Sequence, residues 1–236
     1  MRRFLFLAGA PMTAADLSDF ASQRQTMVDC QIRTFDVTDQ DVIARFMDVQ
    51  RETFLPVALQ PLAYSDASLE LRADGATRVM LAPLVLARMI QGAGVTSTDR
   101  VLDVAGGAGY SAALLAGLAK DVVALESIAS LSSQAAANLA AAGMTNAKAV
   151  SGSLDGAAVS GLFDLILVNG AVEEGLEPLL SKLAPAGRLI AVRMLAGHAG
   201  KVTRFEKIAG ETSHRVLFDA AAPVIDAFAR RPSFVF

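Results

Sequence analysis

The feature that most constrains the fold is a run of ten residues: Val101-Leu102-Asp103-Val104-Ala105-Gly106-Gly107-Ala108-Gly109-Tyr110. An apolar stretch of strand length enters a turn of five small residues, 105–109. The turn leads straight into the Ala/Leu-rich segment 111–119. A second apolar stretch, 122–126, comes next and ends in Glu126. Strand, glycine turn, helix and strand in this order require a parallel pair joined by a crossover. The implied fold class is α/β, with helices on both faces of the sheet.

The rest of the chain extends that unit. Residues 130–142 read as a helix stopped by Gly143, and 147–150 as a short strand. Residues 163–168 form a strongly apolar strand, 173–184 a helix, and 188–194 a strand after Gly187. Residues 201–208 and 213–219 read as strands joined by Ala209-Gly210-Glu211-Thr212, a hairpin that makes the sheet mixed. Upstream the texture differs. Residues 14–31 and 38–49 suggest two amphipathic helices, the second starting at a Thr38/Asp41 capping box. Residues 51–82 read as irregular, punctuated by Pro56, Pro61 and Gly75. Pro83 opens a helix through Ile90. Three parts are expected: a disordered extension at 1–12, a helical cap region at 13–95, and a ligand-binding core at 96–236.

The glycines allow a ligand to approach the backbone, and the helix start supplies free N–H groups. Glu126, about 20 residues past the turn, is placed to bind ribose hydroxyls. Two readings remain open at this point. Gly107-Ala108-Gly109-Tyr110-Ser111-Ala112 fits the dinucleotide pattern GxGxxA. An S-adenosylmethionine site fits better. Asp103 just before the turn suits an ammonium and would repel a pyrophosphate. The turn also comes after a long helical segment, and a hairpin ends the sheet.

Composition removes other chemistries. One Cys excludes an internal disulfide and a CxxC site. Two His, His198 and His214, exclude a three-His or HExxH metal site. Both read as surface or hairpin residues. Cys30 reads as a small buried hydrophobe. Net charge −3 with no basic block argues against nucleic acid as a partner. Mean hydropathy is +0.43, yet no apolar run approaches the roughly 18–20 residues of a membrane span. Residues 4–10, after Arg2-Arg3, imitate a signal peptide but lie at the short end of its range. A cytoplasmic location is expected.

Several segments together resemble the protein-L-isoaspartate (D-aspartate) O-methyltransferase family over roughly residues 24–236. They are Met27-Val28 with Gln31-Ile32, Arg51-Glu52-Thr53-Phe54-Leu55-Pro56, Ala63-Tyr64-Ser65-Asp66, the run 101–110, Phe163-Asp164 with Val168, and Gly187-Arg188-Leu189. The resemblance implies a Rossmann-like class I methyltransferase with a mixed seven-stranded sheet and an N-terminal helical cap. It implies S-adenosyl-L-methionine as cofactor, with no metal. It also implies carboxyl O-methylation of isoaspartyl residues in damaged proteins, so a protein or peptide is the expected partner. The implied cofactor residues are Asp103, Ala105, Gly106, Gly107, Gly109, Tyr110, Glu126, Ser127, Ser153, Leu154 and Asn169. The implied substrate residues are Tyr64, Arg78 and Leu81.

The sequence departs from the family at informative places. The family's Gly-Gln-Thr-Ile-Ser before a Pro becomes 77–81 here: Arg78 stands for Gln, Val79 for Thr and Leu81 for Ser. Ala105 replaces the first glycine of the turn. Gly152-Ser153-Leu154 replaces Gly-Asp-Gly, and Asn169-Gly170-Ala171 replaces Thr-Ala-Ala. Methyl transfer to a carboxylate needs no general base, because the acceptor is ionised at neutral pH. Losing the Ser therefore bears on acceptor choice more than on transfer. The alternatives are a different acceptor, or a catalytically silent cofactor-binding protein. Arg78 is open to two uses: pairing with a substrate carboxylate, or a solvated surface position.

Overall fold

A computed structural model describes residues 14–195, 199–208 and 210–230. The 1–12 extension and His198 lie outside them. Helix α1 (Ala14–Met27) runs into a π-turn at Val28–Ile32 that buries Val28 and Ile32. Cys30 is exposed on the other side of that turn, not buried as its residue type suggested. Helix α2 (Gln40–Asp48) buries Val42, Ile43 and Phe46. Its cap is Asp39 rather than Thr38: the Asp39 carboxylate accepts from the N–H of Asp41 and of Val42.

Residues 51–82 are more ordered than their prolines suggested. Short 3-10 turns at Arg51–Phe54 and Val57–Leu62 lead to an antiparallel hairpin, β1 (Leu69–Ala73) and β2 (Ala76–Met80). The hairpin turns on Asp74-Gly75, with φ of 52° and 77°. Asp-Gly is favoured in such two-residue turns because both positions need positive φ. Leu69 and Leu71 face inward while Glu70 and Arg72 face outward. Helix α3 (Pro83–Ala93) then stops at Gly94, which is left-handed.

The core is a seven-stranded sheet: β3 (Arg100–Val104), β4 (Asp121–Glu126), β5 (Ala147–Ser151), β6 (Phe163–Val172), β7 (Leu183–Arg193), β8 (Lys201–Ile208) and β9 (Glu211–Asp219). Their order is β5-β4-β3-β6-β7-β8-β9. Neighbours pair in parallel from β5 to β7 and antiparallel at β7–β8 and β8–β9. The mixed sheet and terminal hairpin match the expectation, and His214 is exposed on β9 as a hairpin residue. Chain order reverses between β3 and β6, so the crevice for a ligand opens at the carboxyl ends of those strands.

Helix α4 (Tyr110–Ala116) and α5 (Ala129–Ala141) share one core with the cap helices and α3. The opposite face is covered by Leu154, Val159, Ile225, Phe228 and the short helix α6 (Glu177–Ser181). The helix expected over 173–184 is therefore much shorter. The backbone N–H groups of Glu173 and Glu174 instead donate to the carbonyl of Phe228. Residues 223–228 return along β6 through Ala171 N–H to Pro223 O (2.9 Å) and Ile225 N–H to Ala171 O (3.0 Å). That return places residues 223–226 across the end of the crevice.

Arg188 ties α3 to the sheet. Its guanidinium donates to the carbonyls of Ala93 (2.7 Å), Gly94 (2.6 Å) and Asp164 (3.0 Å), and to the carboxylate of Asp99 (2.5 Å). Burial works to raise the pKa of Asp99, but the bonds from Arg188 and Thr96 outweigh it and hold that pKa low.

Candidate active site

The glycine turn lies at the carboxyl end of β3. Ala105 has φ of 58°, a left-handed conformation normally left to glycine. Its N–H donates to the carbonyl of Leu125 (2.9 Å), which fixes the turn against β4. Gly107 and Gly109 are also left-handed, at 60° and 95°. Gly106 serves another purpose. A Cβ there would run into the Asp103 carboxylate, Ser111 Oγ and Asn169 Nδ2. The missing side chain leaves a polar cradle open beside Asp103.

Asp103 is fully buried. Ser111 Oγ donates to its Oδ2 (2.7 Å) and Asn169 Nδ2 to its Oδ1 (2.7 Å). Burial pushes its pKa up to about 6; the two hydrogen bonds act against that rise, and the nearby Glu126 charge adds to it. Asn169 also donates to the carbonyl of Val104 (3.1 Å), so it bridges β6 to β3 at the switch point. Sequence alone leaves Asn169 undecided between loop and site; the structure has it in the last part of β6 against Asp103.

Glu126 ends β4 with its side chain 2% exposed. Its Oε1 accepts from the N–H of Ser127 (2.8 Å) and of Ile128 (3.0 Å), and its Oε2 from the N–H of Gly107 (3.1 Å). One buried carboxylate thus joins the glycine turn to the start of the next crossover. Arg78, from β2, completes its surroundings. Nε lies 2.9 Å and 3.2 Å from the two Glu126 oxygens. The terminal nitrogens donate to Ser127 Oγ (2.6 Å) and to the Thr77 carbonyl (3.1 Å). The Arg78 side chain is 6% exposed. It is neither solvated nor free for a substrate; it sits on the acid expected to meet the cofactor.

Two cavities flank Arg78. One, of about 200 Å³, is lined by Thr77, Val79, Asn169 and residues 223–226. The other, about 520 Å³ and more open, is lined by Asp74, Ser127, Ile128 and Asp226. Both touch Ala76, Arg78 and Asp226. Together they make up the candidate cleft, with Arg78 on the wall of both.

The other expected residues sit elsewhere. Tyr110 packs edge-on against Phe46 and Phe54 beneath the turn, with the Arg51 guanidinium 4.8 Å from its ring centre. Burial raises its pKa to about 12. Tyr64 is buried in the cap, where its hydroxyl donates to Glu52 and accepts from Arg24 (3.1 Å). Leu81 is buried, and its carbonyl accepts from Arg51 (2.8 Å), which also holds the Ala63 carbonyl (2.7 Å). Arg51 and Glu52 therefore serve as clamps on the segments at 63–64 and 81. Leu154 packs into the core, and Ser153 lines neither cavity. Among the described residues, no group of three or more His, Cys, Asp or Glu side chains could hold a metal. The residues that sequence reasoning missed are Ser111 and the aspartates of the cleft, Asp74 and Asp226. Ser111 was legible as the first polar group of the helix after the turn.

The family profile of protein-L-isoaspartate (D-aspartate) O-methyltransferase matches residues 22–221. The chain belongs to this family. These are S-adenosylmethionine-dependent methyltransferases, and the fold is their Rossmann-like one. A protein-L-isoaspartate O-methyltransferase of Methanoculleus marisnigri is 36% identical over 72% of this chain and 76% of its own. One from Koribacter versatilis is 35% identical over 74% and 78%. A solved protein-L-isoaspartate O-methyltransferase superposes with TM-score 0.74 at 23% identity, covering 86% of this chain and 65% of the other. The present chain thus spans just under two thirds of that structure's length. A Plasmodium falciparum structure, described as a beta-aspartate methyltransferase in complex with S-adenosyl-L-homocysteine, superposes at 0.71 with 20% identity, over 88% and 98%. These two likenesses establish the shared family fold.

Proposed function

We propose that this chain transfers a methyl group from S-adenosylmethionine to a carboxylate of a protein or peptide, with isoaspartyl residues as the first acceptor to test. The observation that carries this reading is the pair of buried carboxylates, Asp103 and Glu126, on either side of the glycine turn at the β3/β6 reversal. That donor set suits a cationic amino acid at one end and ribose hydroxyls at the other. Bound there, the cofactor supplies a methyl group on a sulfonium.

The chain's own part is positioning. Asp103, steadied by Ser111 and Asn169, compensates an ammonium through the opening at Gly106. Glu126 and Ser127 offer acceptors to a ribose. The Gly107 N–H of the turn donates to the Glu126 carboxylate and is not free to meet a phosphate, which weakens the dinucleotide reading. The acceptor enters through the cavity beside Asn169 and Val79. No residue there has to remove a proton, because a carboxylate acceptor is already ionised. Rate comes from alignment of the oxygen with the methyl group and from excluding water between them.

The second reading, a different acceptor, is favoured by Leu81. At the position of the family Ser it presents no hydroxyl and is buried. In this proposal the cap at 13–95 selects the acceptor and the core at 96–236 holds the cofactor, in the cytoplasm. No helix among the described residues is long and apolar enough to cross a membrane. The test is calorimetry with S-adenosylhomocysteine, joined to methylation of an isoaspartyl peptide. Binding with turnover is expected. Binding without turnover would move the proposal to the second reading, and no binding at millimolar ligand would end it.

A further inference from the structure

Arg78 bonds the side chains that the cofactor reading assigns to a ribose, Glu126 and Ser127. We infer that Arg78 is an intramolecular occupant of the ribose subsite, so that its release from Glu126 sets the affinity for the cofactor. This rests on the cofactor reading above.

Three observations carry it. First, Arg78 Nε reaches both Glu126 oxygens, and its terminal nitrogens take Ser127 Oγ and the Thr77 carbonyl. The Glu126 and Ser127 side chains, which would meet a pair of vicinal hydroxyls, are therefore both engaged. Second, the hairpin that carries Arg78 also closes over the turn. A Cβ on Gly107 would meet Leu71 Cδ1 at 2.9 Å and Arg78 Cβ at 3.7 Å. The close approach that glycine permits is used by β1 and β2. Third, Arg78 lines both cavities, the inner of about 200 Å³ and the outer of about 520 Å³, so a ligand spanning the two would run past it.

The arrangement has a physical reason. A carboxylate buried as deeply as Glu126 would be costly without a cation. Arg78 supplies one from within the chain. A ligand must then compete for Glu126, and its apparent dissociation constant is the intrinsic one divided by the fraction of molecules with Arg78 released. The released guanidinium has somewhere to go. Asp74 and the exposed Asp226 line the outer cavity within which its head group would swing.

The experiment is calorimetric titration of S-adenosylhomocysteine into the wild-type chain and into Arg78→Gln, which restores the residue type of the family motif. The shorter amide keeps one hydrogen bond to Glu126 without the charge or the fork. Tenfold or more tighter binding by the variant is expected. Arg78→Lys, which keeps the charge but loses the fork, should lie between the two. In the wild-type chain, the Arg78 Nε–H resonance should be protected from exchange when free and lose that protection on adding S-adenosylhomocysteine. Equal or weaker binding by Arg78→Gln, or a resonance that stays protected in the complex, overturns the inference and leaves the cofactor reading standing. Absence of binding by all three proteins overturns both.

Discussion

Replacing Asp103 by Asn tests the electrostatics of the site without altering its shape. Asp103 is fully buried, and its pKa is raised from 3.8 to about 6. A carboxyl whose folded pKa lies above its unfolded one holds its proton longer in the native state. Native stability therefore falls as pH rises from about 4 to about 6, and the full loss persists above that window. Two pH units amount to about 3 kcal/mol at pH 8 and about 1 kcal/mol at pH 4.5. Asn removes the charge and retains the partners: its oxygen accepts from Asn169, and its amide donates to Ser111 Oγ, which can rotate to receive it. The Asp103→Asn chain should then be more stable than wild type by about 3 kcal/mol at pH 8 and by about 1 kcal/mol at pH 4.5. Urea unfolding of both proteins at the two pH values measures the difference. An Asn variant that is less stable at pH 8, or whose gain does not depend on pH, would refute the argument. The same variant should bind S-adenosylhomocysteine more weakly, because the stability gained is the charge withdrawn from an ammonium.

Two further predictions concern the frame. Gly107→Ala forces a left-handed Ala against Leu71 and should lower stability by about 1–2 kcal/mol in the same urea assay. Arg188→Met removes the donor of four bonds that join β7 to α3, β6 and Asp99, and leaves a buried carboxylate without its cation. A loss of about 3–5 kcal/mol is expected, read as a large fall in melting temperature by calorimetry.

The parts of the fold legible in the sequence are those whose cause is local. The strand–turn–helix at 100–116 arises from small residues after an apolar run. The terminal hairpin arises from Gly210 between alternating strands, and β6 from a continuous apolar stretch. The hairpin at 69–80 was also written locally, in Asp74-Gly75 between alternating Leu and charged residues. It was obscured by the prolines before it, which set the texture of 51–62 but not of the two strands beyond. Other features have no local cause. The helix expected over 173–184 yields most of its length because Glu173 and Glu174 find a carbonyl more than 50 residues away, at Phe228. The π-turn at 28–32 buries Val28 and Ile32 and leaves Cys30 exposed, which residue type alone did not tell.

The site shows the same division more sharply. Asp103, the glycines and Glu126 could be placed because each lies at or near the end of a strand that the sequence defines. Arg78 could not, because its role is set by a partner 48 residues on, across a hairpin that sequence reading did not resolve. Surface Arg is common, so frequency favours solvent; burial against Glu126 reverses that expectation. The consequence reaches the chemistry. In the proposed function reactivity comes from the cofactor's sulfonium, in keeping with a chain of two His and one Cys, and the protein's part is position and access. In the proposed site, position rests on Asp103, Asn169 and the turn, which hydrogen bonds between the strands hold in place. Under the inference drawn from Arg78, access rests on position 78, where this chain puts an Arg in place of the family Gln. A substitution at that one residue acts on occupancy of the site before any step of transfer, so activity measured at low cofactor would understate the catalytic capacity of the residues behind it.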